Sequence, residues 1–110
     1  MNILEKEVFV LETIEERVRE RLIKYLSRDD TGIRKVVLRL FLNGEKFTTG
    51  DVYEHLHKTD FDVSYRGVSA MVGLMNTRLG ILSIDVTGDH NIYLLKEDYR
   101  DIVGTVLDNY

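Results

Sequence analysis

At Gly80 the hydrophobic pattern of this chain changes period. Before it, apolar residues recur at helical spacing. After it, Ile81–Val86 and Asn91–Leu95 carry β-branched residues in partial alternation around the turn Thr87-Gly88-Asp89-His90. The pattern then returns to helical spacing over Glu97–Tyr110, where Tyr99, Ile102, Val103, Val106, Leu107 and Tyr110 form a stripe. A chain that passes from helices through one hairpin to a last helix is confined to an α+β fold that is mostly helical.

The helices ahead of Gly80 are separated without proline, because the sequence has none. Each break must therefore come from Gly, Asn, Asp or Thr. Thr13-Ile14-Glu15-Glu16 reads as a capping box that starts a helix, with Ile14, Val18, Leu22, Tyr25 and Leu26 facing inward. A second helix is expected from Asp30 or Thr31, with Ile33, Val36, Val37, Leu40 and Phe41 as its stripe and Asn43-Gly44 as its stop. Phe47 suits a very short strand. Thr48-Thr49-Gly50-Asp51 caps a third helix that turns Val52, Tyr53 and Leu56 inward. Ser64 is the expected N-cap of a fourth, with Val68, Met71, Val72, Met75 and Leu79 buried.

Over residues 31–95 the order is helix, strand, helix, helix, strand, strand, which is the winged helix-turn-helix order. Two short helices at a steep angle present the second to a DNA major groove, and the hairpin is the wing. At 110 residues one domain is expected: a helical extension over 1–28, a winged-helix core over 29–95 and a C-terminal helix over 96–110.

Charge pulls in two directions. The formal net charge is −4, from 15 basic and 19 acidic residues, and opposes nucleic-acid binding. The distribution is uneven, however. Arg17, Arg19, Arg21, Lys24, Arg28, Arg34, Lys35 and Arg39 outnumber Glu20, Asp29 and Asp30, and Ser64–Leu79 holds Arg66 and Arg78 with no acid. With the stripe of the fourth helix buried, Tyr65, Arg66, Ser69, Ala70, Gly73 and Asn76 face outward. Arg66 and Asn76 suit base edges or phosphates, Tyr65 a phosphate, and Ser69 permits close approach. Ser64 and the first-turn amides suit a phosphate at the helix N-terminus. Arg17, Arg21, Lys24 and Arg28 line one stripe of the first helix, and with Arg34, Lys35 and Arg39 they suit a phosphate backbone. The same stripe also reads as an ordinary solvated face, and the small-residue face of the fourth helix also suits another helix. The wing, with Asp85 and Asp89, suits DNA poorly, and His90 reads as an exposed turn residue.

The motif Thr49-Gly50-Asp51-Val52-Tyr53-Glu54-His55-Leu56, then Asp62-Val63-Ser64, then Leu79-Gly80-Ile81-Leu82, resembles the winged-helix part of ferric-uptake-regulator-type and related bacterial and archaeal regulators. The stretch from Val63 to Met75 is similar to a small archaeal family of unassigned function, known mainly from methanogens and expected to be winged-helix. The wider resemblance covers roughly a third of the chain and implies the fold and the position of the reading helix. Metal sensing does not carry over. The chain has three His and no Cys, and His55 and His57, two apart on a helix, diverge by about 200°.

No metal, cofactor or catalytic motif is found, so neither a cofactor nor an enzyme activity is expected. No apolar run approaches the roughly 18–20 residues of a membrane span, and Met1–Leu11 lacks a basic leader, so a cytoplasmic location is expected. The expected function is a DNA-binding transcriptional regulator working as a homodimer through its terminal helices. The alternative is a winged-helix protein-interaction module that does not bind DNA.

Overall fold

The computed structural model describes residues 3–44 and 46–110, with side chains described from residue 13 onward. The elements are α1 (Ile3–Ser27), α2 (Ile33–Asn43), β1 (Phe47–Thr48), α3 (Thr49–Lys58), α4 (Tyr65–Thr77), β2 (Leu82–Asp85), β3 (Ile92–Leu95), a single 3-10 turn (Glu97–Tyr99) and α5 (Arg100–Asp108). The three strands form one antiparallel sheet in the order β1-β3-β2. Leu82 pairs with Leu95 and Asp85 with Ile92 across the hairpin, while Phe47 pairs with Tyr93.

The first helix starts earlier than the Thr13 capping box suggests. Helix α1 is continuous from Ile3, so Thr13 lies inside it. A Thr and a Glu three residues apart cap a helix only where the chain ahead leaves helical geometry. Nothing between Ile3 and Thr13 breaks the helix: the stretch has neither Gly nor Pro.

Between α1 and α2 the chain reverses through Gly32, whose φ of 83° favours glycine. Helix α2 starts at Ile33, later than Asp30 or Thr31, because its cap is not its neighbour. The Asp29 carboxylate accepts from the amides of Arg34 and Lys35, each at 3.1 Å, and so satisfies two first-turn donors from outside the helix. At the other end of the chain, the single helix expected over residues 97–110 is divided. Arg100 donates to the Leu42 carbonyl at 2.5 Å and pairs with Glu97 at 3.1 Å. That tertiary tie accompanies a tighter first turn, and regular α-helix begins at Arg100.

One core joins all the elements. Val18, Leu22 and Leu26 of α1 meet Ile102, Val103, Val106 and Leu107 of α5, and α5 also packs on α2. Val52 and Leu56 of α3 face Val68, Val72 and Met75 of α4, with Ile81, Leu82, Tyr93 and Leu95 closing the sheet side. Leu38 is completely buried although it lies off the expected stripe of α2. That helix touches α5, α3 and β3, so a wider arc of it is enclosed. Conversely, Ile14 and Tyr110, expected inside, are 40% and 46% exposed.

Candidate nucleic-acid interface

The α3–α4 pair is shaped by its caps. Thr48 Oγ1 accepts from the Asp51 amide at 3.1 Å, and Asp51 Oδ2 accepts from the Thr48 amide at 2.9 Å, completing a capping box on α3. Helix α3 ends in a Schellman motif. The Asp60 amide returns to the His57 carbonyl, and the Phe61 amide to that of Leu56. Asp60 takes the left-handed position, with φ of 62°, which Asp tolerates better than most residues. Ser64 Oγ then accepts from the Gly67 amide at 3.0 Å and starts α4. A methyl group on Gly67 would lie 3.2 Å from Val63 and 3.3 Å from Ser64 Oγ, so glycine suits this tight helix start.

The outward face of α4 carries Tyr65, Arg66, Ser69 and Ala70, with Thr77 and Arg78 toward its end, all exposed. Gly73 and Asn76 are half-buried. The Tyr65 and Tyr53 rings meet edge to face with their centres 5.6 Å apart, and the Tyr53 and His57 ring centres lie 4.4 Å apart. Among the described residues Arg66 and Arg78 have no ion-pair or hydrogen-bond partner for their side chains. Leu74 is 39% exposed on this helix.

The two ends of α4 border surfaces of opposite charge. At its N-terminal end, Tyr65 and Ser69 share a groove with Asp51 and Glu54 of α3 and with Asp89 and His90 of the hairpin tip. Carboxylates dominate this groove. The hairpin turn itself is organised by Asp85, whose Oδ1 accepts from the Thr87 hydroxyl at 2.6 Å and its amide at 3.0 Å. These two bonds, the hydroxyl's first, hold the Asp85 carboxyl below its usual range.

At its C-terminal end, α4 contributes Leu74 and Arg78 to a depression of about 390 Å³. Arg21 and Lys24 of α1, Arg28 just beyond it and Arg34 of α2 line the same depression, over Tyr25 and Leu79. Arg34 is fixed there. Its guanidinium donates to the Tyr25 carbonyl at 2.7 Å and lies 4.3 Å from the centre of the Tyr25 ring. Burial pushes the Tyr25 phenol up to about 12, with Arg34 opposing the shift and Asp29 adding to it.

The residues expected at the site are thus divided. Tyr65 and Ser69 meet at the acidic groove, Arg34 and Arg78 at the basic depression, and Arg66 stands exposed in the first turn of α4. The Ser64 hydroxyl is engaged as a cap. Lys35, next to Arg34 in sequence, instead donates from Nζ to the Tyr110 carbonyl at 2.5 Å. Leu74 was not among the expected site residues. Its signal was a Leu one position off the Val68, Val72 and Met75 stripe. Among the described residues no helix is long and apolar enough to cross a membrane, and no three His, Asp or Glu side chains gather as metal ligands.

Comparison with known proteins adds relatives without an assigned activity. The family described as "Protein of unknown function (DUF2551)" matches residues 22–103. An uncharacterized protein of Archaeoglobus fulgidus is 45% identical over 93 residues, which cover 84% of this chain and 95% of the relative. No solved structure matches.

Proposed function

The chain belongs to the DUF2551 family, and from that footing we propose that it is a DNA-binding transcriptional regulator of the winged-helix type. Residues 64–79 are the recognition segment and residues 81–95 the wing. The succession α2, β1, α3, α4, β2, β3 with sheet order β1-β3-β2 supports this reading, because it agrees with the element order expected of a winged helix.

One observation carries the proposal. The acid-free helix α4 runs into a cluster of cations, Arg21, Lys24, Arg28, Arg34 and Arg78, in a chain whose net charge is −4. Among the described residues the one ion pair joins Arg100 and Glu97, so none of these five cations is neutralised by a carboxylate. In a chain with more acids than bases, unpaired cations on one surface suit a phosphate backbone. Tyr65, Arg66, Ser69 and Asn76 then read or position the bases. The wing, with Asp85 and Asp89, contributes little, and α1 takes over backbone binding. Two copies joined through α1 and α5 make the DNA-binding unit, supported by the exposed Ile14 on α1 and Tyr110 just beyond α5.

The test is a titration of isotope-labelled protein with a mixed-sequence duplex, followed by amide NMR. Shifts concentrated in residues 64–78 and 21–28 support the reading, and shifts confined to α5 contradict it. The acidic groove favours a second reading, an interaction module that takes a basic peptide at Asp51, Glu54 and Asp89. That module leaves the spectrum unchanged when DNA is added.

A further inference from the structure

We infer that the basic depression between α1, α2 and the end of α4 is a binding site for a small di- or triphosphate bearing an aromatic ring. Its volume of about 390 Å³ falls within the roughly 300–1,000 Å³ range of small-molecule sites. The lining combines the two chemistries that such a ligand needs. Four guanidiniums and one ammonium surround it, and no carboxylate lines it. Guanidiniums bind phosphate oxygens in pairs, which makes them specific for this group as well as attractive to it.

The apolar part of the lining separates this site from a plain phosphate-backbone contact. Leu74, 39% exposed, lines the same depression as the five cations, together with Tyr25 and Leu79. On a DNA backbone only the small, puckered deoxyribose could touch that leucine, whereas a flat aromatic ring covers more of it. Arg34 is already immobilised by the Tyr25 carbonyl and ring, so it meets a ligand with little loss of side-chain freedom. It uses one of its five N–H donors on that carbonyl. Without a ligand, five like charges share the depression and repel one another, so occupancy by two or more negative charges relieves that repulsion.

The binding site stands by itself. Its consequence for regulation rests on the DNA-binding reading: a ligand held by Arg28, Arg34 and Arg78 removes the cations that hold the backbone, so ligand and DNA exclude each other.

The experiment is calorimetric titration of the full chain with ATP at low salt, with inorganic triphosphate and adenosine as separate probes. Saturable binding of one ATP per chain is expected, at least about tenfold tighter than triphosphate because the ring covers Leu74 and both withdraw apolar surface from water. Leu74→Ser should abolish that advantage, and the double change Arg28→Ser with Arg78→Ser should weaken ATP at least about tenfold. All three residues are exposed, and thermal melts of each variant confirm that it folds. Absence of saturable ATP binding overturns the inference. So does ATP binding no tighter than triphosphate, or binding indifferent to the arginine changes. A duplex competition separates the two readings: ATP binding without any DNA binding leaves the site standing and removes the regulator.

Discussion

Arg34 lies over the Tyr25 ring, 4.3 Å from its centre, and donates to the carbonyl of the same residue at 2.7 Å. One side chain of α2 thereby holds both the ring and the backbone of α1. The contact ties α2 to the end of α1, and both residues line the basic depression.

Replacing Arg34 by Ala should therefore cost about 1–2 kcal/mol of stability, from the hydrogen bond and the cation–ring contact together. Arg34→Lys should recover only part of this, because an ammonium lacks the planar stacking face. Chemical denaturation of the three proteins measures both differences.

The pH dependence of stability follows from the same pair. Burial raises the Tyr25 phenol from about 10 in the unfolded chain to about 12 in the folded one. The protonated form is therefore favoured by folding. This contribution is complete below pH 10 and is lost as pH rises through the interval from 10 to 12. Melting temperature should fall over that interval, and less steeply in Tyr25→Phe than in the wild type. Equal slopes would show that Tyr25 ionises freely in the fold.

Asp29 does for α2 what no residue at its formal N-cap does. Asp29→Ala should destabilise the protein by about 1–2 kcal/mol, the usual cost of a lost cap. Both carboxylate oxygens accept, one from Arg34 and one from Lys35. Asn has only one accepting oxygen and should recover roughly half of the loss. Denaturant midpoints of the two variants decide this.

Arg66 and Arg78 should behave differently on DNA. Arg66→Ala should cost about 1–3 kcal/mol on a selected site and relax its sequence preference, as expected for a base contact. Arg78→Ala should weaken selected and random duplexes alike and lower the salt slope by about one, as expected for a phosphate contact. Competition assays at two salt concentrations separate these outcomes.

Much of this architecture is legible in the sequence wherever the signal is local. Ser64 and Thr48 cap because an acceptor three residues ahead of a free amide is a local arrangement. The hairpin follows from β-branched residues around Gly88. What escaped is tertiary. Asp29 caps from five and six residues away, across a turn made by Gly32. Arg100 is recruited by Leu42, 58 residues earlier. Leu38 is buried because three elements enclose α2, and a single-stripe reading allows for only one. The candidate site divides in the same way. The stripe of Arg21, Lys24 and Arg28 is visible as spacing, but its meeting with Arg78 and Leu74 depends on how α1 packs beside the end of α4.

If α4 and its cation cluster bind DNA, affinity must fall steeply with salt. Fluorescence anisotropy of a labelled mixed-sequence duplex is titrated with the protein at several salt concentrations. The expected result is binding whose logarithm falls linearly with the logarithm of salt, with a slope equivalent to roughly four to six phosphates per chain. Absence of binding even at low salt would contradict it.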